Sequence, residues 1–551
     1  MSSVGTPPPP PASGYSVEDF TDEERVALDR HFTSTTGPVF AIFDLPEVVK
    51  GALFARYSRS NKSLRRLFLD EFAEPNRESP PPGLGGDRMR WERAEDLYER
   101  VFTEYGDDSV AQLGSAHLAC EQASNVLTKV LEWGRLASYL EQSTRYLFYD
   151  RRLGGRYRYL VPAEVAAADL APAFEEVLDG AFTTYSSLAG RLTAYYEAAF
   201  PRRSGDSEFA HRAAIRAKVC DDLRGLLPAA TLSNVGIHGS GQAFEMLLIR
   251  MLAHPLDEVR HYAGMMLIEL RKVIPSFLRR VDMEDRGRSW TRYLAETARR
   301  TGEVSAGIGL DADSVPEVAL VDWDPDGERK VAAGALYAAS GLADDQLARY
   351  VASLDEDGVG SVLSAYFGER GNRRHKPGRA LERTGYRFDI LCDYGIFRDL
   401  QRHRLLTIEW QRLDTRHGYV TPVSISEIGA TAAWDRVMEQ ARDMYRQLQP
   451  LGADVAQYAV PFAYRIRFFM QLNAREAFHL IELRTAPAGH PGYRRVCQEM
   501  HRLIAEEAGH SRLAAAMCFA DHGAADLERL DSEQRAAARR AAAGLPDPAL
   551  D

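Results

Sequence analysis

"VALVDWDPDGERKVAAGALYAAS", residues 318–340, opens with an apolar run, crosses a Pro/Asp turn and enters a helix-like stretch. "VFAIFDLPEVVKGALFARYS", residues 39–58, has the same order of features, and both helix-like parts carry Gly-Ala-Leu-aromatic-Ala. Such similarity between the two halves of one chain is the signature of an internal repeat. The pattern therefore predicts two copies of one structural unit.

Further similar pairs follow in the same order in both halves. "YRYLVP" (157–162) is similar to "HGYVTP" (417–422), and "RGLLPAA" (224–230) is similar to "QYAVPFA" (457–463). The spacings between the pairs drift, which indicates an old duplication and not a short-period solenoid. We expect these domains: 1–38 disordered N-terminal tail and lead-in, 39–280 first copy, 281–317 linker, 318–520 second copy, and 521–551 C-terminal helix and tail.

The predicted fold class is α+β, with two tandem helix-rich units that each contain a small sheet and are related by an approximate twofold axis. Apolar residues recur at three- and four-residue spacing along most of the chain, which is typical of helices. This pattern predicts helices at 108–133, 174–200, 208–225, 241–279, 380–402, 431–450, 464–484 and 491–520. "VFAIF" and "VALVDW" are predicted to be short strands.

The bulk composition excludes some classes of function. The 551 residues carry a formal net charge of −11, whereas a general nucleic-acid-binding protein needs a basic surface. The five cysteines are scattered and form no CxxC pair, which indicates a reducing compartment without a disulfide framework or zinc ribbon. No signal peptide or apolar run of transmembrane length is evident, so we expect a cytoplasmic protein that binds neither membranes nor nucleic acid.

Arg402, His403 and Arg404 concentrate positive charge at the end of a predicted helix. Adjacent residues cannot share one helix face, so these side chains could spread around one bulky anion such as a pyrophosphate. Arginine supplies permanently charged planar donors for phosphate. The alternative is a solvated basic helix end that the helix dipole favours.

Residues 135–146 mix hydroxyl groups, a carboxylate and guanidinium groups. Ser143 and Arg145 could hold a phosphate, with Glu141 ordering the loop. The alternative is a polar turn in which Glu141 and Arg145 form a local ion pair. Three Glu-x-x-His pairs, Glu258/His261, Glu476/His479 and Glu507/His510, would suit a di-iron site on paired helices, but so short a pattern also arises by chance.

Read together, these segments resemble the flavin-dependent thymidylate synthases, in two diverged copies. That family's signature is Arg-His-Arg, two residues, Ser, one residue, Asn-Glu, one residue, Ser, one residue, Arg-Tyr. The second copy keeps the front, Arg402-His403-Arg404, and departs at Thr407, Glu409, Trp410, Arg412 and Asp414. The first copy keeps Arg135, Ser138, Glu141, Ser143, Arg145 and Tyr146, and departs at Trp133, Gly134 and Leu140.

The resemblance continues outside the signature, over about 39–280 and 318–510. His375 stands in the segment where the family has His-x-Ser, and Asp221 with Arg224 precedes a Leu-Pro as the family's Glu and Arg do. A later helix offers the family's Asn-x-Arg and a following nucleotide-binding Arg as Asn473, Arg475 and Arg484. In the first copy, Gly239 and Gly241 are assigned to the Asn-x-Arg positions, and Arg250 remains.

The resemblance implies an FAD-dependent enzyme that converts dUMP to dTMP with methylene-tetrahydrofolate and NADPH, without a cysteine nucleophile. It implies that the cofactor-binding residues are Arg402, His403, Arg404, His375, Asn473 and Arg475, and that the substrate-binding residues are Glu141, Ser143, Arg145, Arg224 and Arg484. It assigns no catalytic residue and no metal ligand. Because each copy keeps the end of the signature that the other has lost, we expect one composite site, and a homodimer that mimics the family's tetramer.

Two other functions remain open at this point. One is a non-catalytic descendant that binds FAD or a nucleotide and has a scaffold or regulatory role. The other is a metal-dependent helical oxidase that uses the Glu-x-x-His pairs.

Overall fold

The computed structural model describes residues 18–36, 40–57, 62–73, 112–152, 154–204, 206–310, 314–524, 527 and 529–544. Helices dominate, and the strands form two small antiparallel sheets. None of the described helices is both long enough and apolar enough to cross a bilayer.

The first half contributes helices and one sheet. In chain order these are α1 Asp22–Asp29, α2 Glu47–Tyr57, α3 Leu64–Glu71, β1 Ser115–Ser124, α4 Asn125–Leu131, β2 Ala137–Glu141, α5 Ala163–Ala167, α6 Ala171–Ala199, α7 Glu208–Leu223, β3 Leu232–Ser240, α8 Gly241–Leu252 and α9 Asp257–Arg271. Short 3₁₀ helices cover Arg224–Leu226 and Pro275–Asp282.

The helix α10, Gly287–Ala306, lies within the predicted linker. The second half then contributes β4 Val318–Trp323, α11 Gly327–Ser340, α12 Asp344–Ala352, α13 Glu356–Phe367, β5 Gly385–Asp393, α14 Tyr394–Leu400, β6 Thr407–Trp410, α15 Val423–Glu427, α16 Thr431–Leu448, α17 Ala453–Ala456, β7 Arg465–Asn473, α18 Ala474–Arg484, α19 Pro491–Glu506, α20 Ser511–Ala516 and α21 Leu530–Ala542. Further 3₁₀ helices cover Arg379–Arg383, Gln449–Leu451 and Gln457–Ala459.

The two sheets share one three-stranded topology, to which the second sheet adds the edge strand β4. The first has the order β1-β3-β2 and the second has the order β4-β5-β7-β6, with all neighbours antiparallel. Ser138 pairs with His238 in the first sheet, and Thr407 pairs with Gln471 at the equivalent position of the second. The duplication predicted from the sequence is therefore present in the fold.

The strand predicted at 39–43 is wrong for the residues that the structure describes. Ile42 makes only an isolated bridge to Phe32, whereas Val318–Trp323 pairs along β5 as an edge strand. The "lead-in" is also partly helical, because α1 begins with a capping box in which Thr21 and Glu24 satisfy each other's backbone N–H groups.

Three predicted helices contain a strand in the part that the structure describes, and residues 108–111 of the first lie outside the described residues. The ranges 108–133, 380–402 and 464–484 contain β1, β5 and β7, each followed directly by a helix. Side chains along β5 alternate between buried and half-buried, a period of two that merged with the following helix in the sequence pattern. The cap residues Ser124, Asp393 and Asn473 mark each boundary, because their side chains accept backbone N–H bonds from the first helical turn.

The remaining predicted helices agree with the structure to within a few residues at most ends. The exceptions are 241–279, which is divided into α8 and α9, and 491–520, which is divided into α19 and α20. The buried apolar side chains of the two halves form one continuous hydrophobic core.

The two copies meet along an approximate twofold axis. Pro228 and Pro461, which stand at equivalent positions, form an antiparallel bridge. Ala229 N–H donates to the Val460 carbonyl and Phe462 N–H donates to the Leu227 carbonyl, each at 2.9 Å. The equivalent helices α6 and α16 pack against each other beside this bridge. Contact between identical surfaces is what a twofold axis produces.

Candidate functional site: an arginine cluster between the copies

Glu141 joins the two halves of the divided signature. It lies at the end of β2, only 5% exposed. Its Oε1 accepts a hydrogen bond from Arg398 Nη2 at 2.8 Å, and its Oε2 accepts one from Arg402 Nη2 at 2.6 Å. Burial alone would raise the pKa of this carboxyl, but Arg398, Lys129 and Arg402 hold its pKa well below the usual range. Glu141 is therefore a carboxylate that neutralises second-copy arginines.

All three nitrogen atoms of the Arg145 guanidinium donate hydrogen bonds to other side chains. Its Nε and Nη2 donate to the two carboxylate oxygens of Asp221 at 2.6 and 2.7 Å, and its Nη1 donates to Tyr493 Oη at 2.8 Å. Ser143 Oγ accepts the backbone N–H of Arg145 at 3.2 Å. Burial opposes ionisation of Asp221, yet Arg145 keeps the pKa of this carboxyl below its ordinary value. The predicted local ion pair between Glu141 and Arg145 does not form, because each side chain has other partners.

Arg224 differs from Arg145 because it is only partly paired. Its Nη1 donates to Asp399 Oδ2 at 2.9 Å, while its buried Nε and Nη2 have no hydrogen-bond partner in the part of the chain described. Arg224 is 3% exposed. A buried donor without an acceptor is costly, so this pair of N–H groups is suited to an anion that enters the site.

The Arg484 side chain extends from α18 to Asp399, the residue that also contacts Arg224. Its Nη2 donates to the Asp399 carbonyl at 2.6 Å and its Nε donates to His403 Nε2 at 2.9 Å. The Asp399 carboxyl is buried, which opposes ionisation, but the surrounding guanidiniums of Arg224, Arg145, Arg402 and Arg484 hold its pKa far below the usual range.

We call Arg145, Arg224, Arg398, Arg402 and Arg484 the arginine cluster. Glu141, Asp221 and Asp399 are the carboxylates that hydrogen-bond to four of these guanidiniums, whereas Arg484 donates to the Asp399 backbone carbonyl and to His403. The half-buried His490 lies among them, and burial followed by the nearby positive charge of Arg224 lowers its pKa to about 3. The excess of positive charge and the unpaired N–H groups of Arg224 make the cluster a candidate anion site.

The three residues of Arg402-His403-Arg404 point to different surroundings. Arg402 contacts Glu141, and Arg404 lines a cavity described below. His403 Nδ1 lies 3.0 Å from Glu476 Oε1, and its Nε2 accepts from Arg484. The Nε2 nitrogen is therefore unprotonated and Nδ1 donates to Glu476. Burial, with Arg484 and Lys376 nearby, lowers the pKa of His403, so the ring is neutral.

The predicted Glu-x-x-His pairs do not converge. Glu476 and His479 join His403 in a group whose ligand atoms lie within 4.8 Å of one another. However, Lys376 Nζ lies 2.9 Å from His479 Nδ1, and Arg484 occupies the other side of His403. These cations oppose a bound metal ion. Glu258 instead accepts hydrogen bonds from Ser124 and Tyr458.

The other predicted cofactor residues lie beside the second sheet. Asn473 caps α18 by accepting the Glu476 N–H at 2.9 Å. Arg475 donates to the Pro377 carbonyl and to Glu382, at 3.4 and 3.0 Å. His375 is exposed and contacts its own loop through Gly371 and Asn372. Asn473 lines an open groove together with Thr407 and Arg135.

A cavity of about 370 Å³ lies where the two copies face each other. Arg135 and Arg404, which stand at equivalent positions of the two copies, both line it. Arg135 Nη2 donates to Thr407 Oγ1 at 3.1 Å across the copies. The other lining residues are Glu132, Trp133, Gly134, Leu136, Ala137, Tyr139, Ala243, Met246, Leu247, Arg250, Gln401, His403, Leu406, Ile408 and Glu409.

Sequence reasoning did not single out Arg398, Asp399, His490 or Tyr493. A signal was available for the first two, since residues three and four positions before Arg402 share its helix face. One register assignment was also wrong. The helix caps Ser240 and Asn473 are equivalent, so Ser240 and Gln242, not Gly239 and Gly241, stand at the Asn-x-Arg positions. Arg250 consequently falls one residue before the position of Arg484.

Comparison with known proteins finds relatives along nearly the whole chain. It is 38% identical over 524 residues to a UPF0159 protein of Chlamydia pneumoniae, covering 94% of this chain and 98% of that protein. It is 31% identical over 513 residues to a UPF0159 protein of Thermoplasma acidophilum, covering 88% and 98%. A flavin-dependent thymidylate synthase of Clostridium tetani is 26% identical over 197 residues, 34% of this chain and 74% of that enzyme.

A solved structure of the UMP/dUMP methylase PolB from Streptomyces cacaoi bound with 5-Br dUMP is 18% identical, with a TM-score of 0.29. It covers 38% of this chain and 97% of its own. The family model described as "thymidylate synthase complementing protein" matches residues 52–276 and again residues 320–508. Two matches to one model, in two halves with one topology, show that the chain belongs to the flavin-dependent thymidylate synthase family as a tandem pair of family units.

Proposed function

We propose that this chain is an FAD-dependent thymidylate synthase-like enzyme that reductively methylates dUMP, or a related pyrimidine nucleotide, with methylene-tetrahydrofolate and NADPH. The observation that carries the proposal is the buried Arg224, whose Nε and Nη2 have no partner among the described residues of the arginine cluster. Family membership supports the reaction class, and the arginine cluster, whose residues come from both copies, supports an anion site.

The nucleotide phosphate would bind at the arginine cluster. Arg224 would donate its two unpaired N–H groups, and Arg484 would face the same anion from α18. Charge-assisted bonds of this kind are short and strong. Arg145 and Ser143 would contact the phosphate only if Asp221 releases Arg145; otherwise they hold the shape of the site. Glu141 would keep Arg398 and Arg402 in place by neutralising them.

The flavin would bind next to this cluster, on the side formed by Arg404, His403 and the groove that Asn473 lines. Arg475 and His375, which the resemblance also assigns to the cofactor, do not line that groove. The residues present fit such a group, because Arg404 has no hydrogen bond or ion pair among the described residues and the buried Gln401 Oε1 on the cavity wall has no partner. When bound, a flavin supplies redox chemistry to the one-carbon transfer. The protein side chains bind and orient it.

A non-catalytic descendant is the second candidate, and one observation favours it. The resemblance assigns Arg145 to the substrate, but its guanidinium already donates hydrogen bonds to Asp221 and Tyr493. A chain that kept its fold but lost its substrate could close the site in this manner. FAD or nucleotide binding without turnover would then be expected.

A first experiment separates these candidates. The purified full-length chain is titrated with FAD and its absorbance is recorded, and conversion of dUMP is then measured with methylene-tetrahydrofolate and NADPH. Formation of dTMP supports the enzyme, whereas a flavin spectrum with no conversion supports the non-catalytic candidate. Arg224→Met tests the site, since loss of two charge-assisted bonds should weaken dUMP binding by roughly tenfold or more. Exposed Arg349, in a helical pair with Asp345, provides the control Arg349→Met.

We also propose that two chains associate into a dimer that corresponds to a tetramer of single units. Leu136 and Leu405, which occupy equivalent positions next to the cavity, are 62% and 74% exposed in the single chain. Sedimentation equilibrium of the full chain tests this proposal, and a monomer at micromolar concentration contradicts it.

A further inference from the structure

The Arg224 side chain lies along one face of α14, the short helix of the second copy. Its Nη1 donates to Asp399 near the end of that helix at 2.9 Å. Its guanidinium also packs against Gly395, which stands four residues before Asp399 and therefore on the same helix face. A Cβ atom at Gly395 would lie 3.1 Å from Arg224 Nε and 3.3 Å from Arg224 Cζ. The missing side chain therefore makes the room in which the guanidinium lies.

The backbone of Gly395 does not itself require a glycine. Its φ angle lies outside the left-handed region, and it stands in a helix, where glycine is less favourable than alanine. Its N–H donates to the Phe462 carbonyl at 3.2 Å, a bond that every residue except proline can make. The close approach of Arg224 is the remaining reason for a glycine at this position.

The first copy provides an internal comparison for this position. Each of the helix caps Ser124 and Asp393 accepts the N–H of the third residue after it, at 3.0 and 2.9 Å. Val126 consequently stands in the first copy where the second copy has Gly395. A helix cap thus tolerates a side chain at this position, although Asp393 Oδ1 would also lie 3.1 Å from a Cβ atom at Gly395.

All three members of the contact change between the copies. Arg224, Gly395 and Asp399 correspond to Gln457, Val126 and Val130, respectively. Both valines pack into the hydrophobic core, and the uncharged Gln457 donates to the Asp454 carbonyl at 3.2 Å. The helix α4 of the first copy therefore offers neither the room nor the carboxylate that Arg224 uses on α14.

The carboxyl groups near Gly395 leave two donors of Arg224 available. Asp399 accepts only the Nη1 donor of Arg224. Burial raises the pKa of Asp393 to about 6, although Arg224 opposes this rise. Asp393 nevertheless accepts no hydrogen bond from Arg224, whose Nε and Nη2 have no partner among the described residues. The contact with Gly395 and Asp399 thus fixes the guanidinium without using all of its N–H groups.

We propose that Gly395 is a positioning residue of the phosphate site, because its missing side chain allows Arg224 to lie along α14 with Nε and Nη2 held for the anion. Gly395 acts through Arg224 and does not contact the anion itself. The glycine also determines which of the two equivalent places in this tandem chain can hold the guanidinium. The inference rests on the proposed function in taking the anion to be a nucleotide phosphate, whereas the contact between Gly395 and Arg224 is independent of the ligand.

Calorimetry with dUMP compares the full-length parent with Gly395→Ala and Gly395→Val, the second of which introduces the residue found in the first copy. Alanine places a Cβ atom against the guanidinium, and valine adds two methyl groups that displace it. We expect dUMP affinity to fall by about tenfold in Gly395→Val, since charge-assisted bonds are lost, and by less in Gly395→Ala. The matched control Gly190→Val, in α6 where a Cβ atom has no neighbour within 4 Å, should leave the affinity unchanged.

The same substitution in an Arg224→Met background separates positioning from a general structural effect. Gly395→Val should weaken dUMP binding there by no more than about twofold, because the guanidinium that valine displaces is already gone. An equal loss of affinity in both backgrounds overturns the inference, as does full affinity in Gly395→Val.

Urea denaturation of the parent, the two single variants and the double variant tests the contact without a ligand. Gly395→Val should lower the urea midpoint more in the parent than in Arg224→Met, and Gly395→Ala takes its place in both tests if the valine variant does not fold. Equal shifts in the two backgrounds overturn the contact, whether or not dUMP binds. A parent chain that does not bind dUMP refutes the proposed function, whereas unequal shifts in that chain still support the positioning of Arg224 by Gly395.

Discussion

Pro228 of the first copy lies directly opposite Pro461 of the second, paired across the approximate twofold axis of a single chain. The interface between copies is therefore part of the hydrophobic core, and it cannot open without unfolding. Glu141 and Arg402 meet across the same interface. Stability of the interface and integrity of the arginine cluster should consequently change together.

Gly225, three residues before Pro228, tests the packing of this interface. A Cβ atom at Gly225 would lie 2.7 Å from Cη2 of the fully buried Trp434 and 3.3 Å from Cβ of Ala463. We expect Gly225→Ala to lower the free energy of unfolding by about 1–3 kcal/mol, measured by urea denaturation.

Gly190 provides the matched control. It lies within α6, and a Cβ atom there would have no neighbour within 4 Å. Gly190→Ala should raise the free energy of unfolding by about 0.5–1 kcal/mol, because alanine is the better helix former. If both variants unfold at the same urea concentration as the parent, the described packing at Gly225 is wrong.

Glu141→Gln tests the link between the copies. The change leaves the buried Arg398 without its carboxylate partner and also removes the carboxylate from the partly exposed Arg402, while Lys129 keeps its ion pair with Glu132. Breaking a buried ion pair from one side costs about 3–5 kcal/mol, and urea denaturation should show a loss of this size.

The control for Glu141→Gln is Glu303→Gln, which breaks a helical ion pair with Arg299 on the exposed surface of α10. Exposed pairs contribute about 0–1 kcal/mol. Equal destabilisation by the two changes would refute the role of Glu141 as a buried neutralising group.

The sequence predicted the duplication, because the order of the segments is visible in one dimension. The complementary losses in one signature led to the expectation of one composite site, but the contact between Glu141 and Arg402 was not predicted. The sequence also did not predict the hydrogen bond from Arg145 to Asp221. These residues are distant in the chain, and they meet only because α7 packs beside the loop that carries Arg145. Strand β5 was missed for a local reason. Its alternating pattern continues into α14, and only the cap Asp393 and Gly395 in the first helical turn mark the change.

Arg224→Lys tests the geometry of the proposed phosphate site. A lysine keeps the charge near Asp399 but cannot supply the two unpaired N–H groups in the planar arrangement of a guanidinium. We expect dUMP affinity to fall by about tenfold in calorimetry, with little change in FAD binding, because distant contacts act independently. Full dUMP affinity in this variant would exclude Arg224 as the phosphate ligand.

His490 should make stability depend on pH. Its pKa is about 3 in the folded chain because of burial and the nearby positive charge of Arg224, whereas an unfolded histidine has a pKa near 6.5. Between these values the unfolded chain binds a proton that the folded chain does not. The contribution of neutral His490 is therefore complete above about pH 6.5 and is lost as the pH falls towards 3, with a slope of at most about 1.4 kcal/mol per pH unit.

Urea denaturation of the parent and of His490→Gln at pH 7.5 and pH 5 measures this contribution. His254 and His479, whose pKa values are lowered to about 4, remain in both proteins, so the difference between the two proteins isolates His490. The parent should lose about 1–2 kcal/mol more than the variant on acidification, less than the full linkage value because His490 is only half-buried. The window stays above the range in which ordinary carboxylates titrate. Equal losses in both proteins would mean that His490 takes up its proton as readily in the folded chain as in the unfolded one, and would remove it from the arginine cluster.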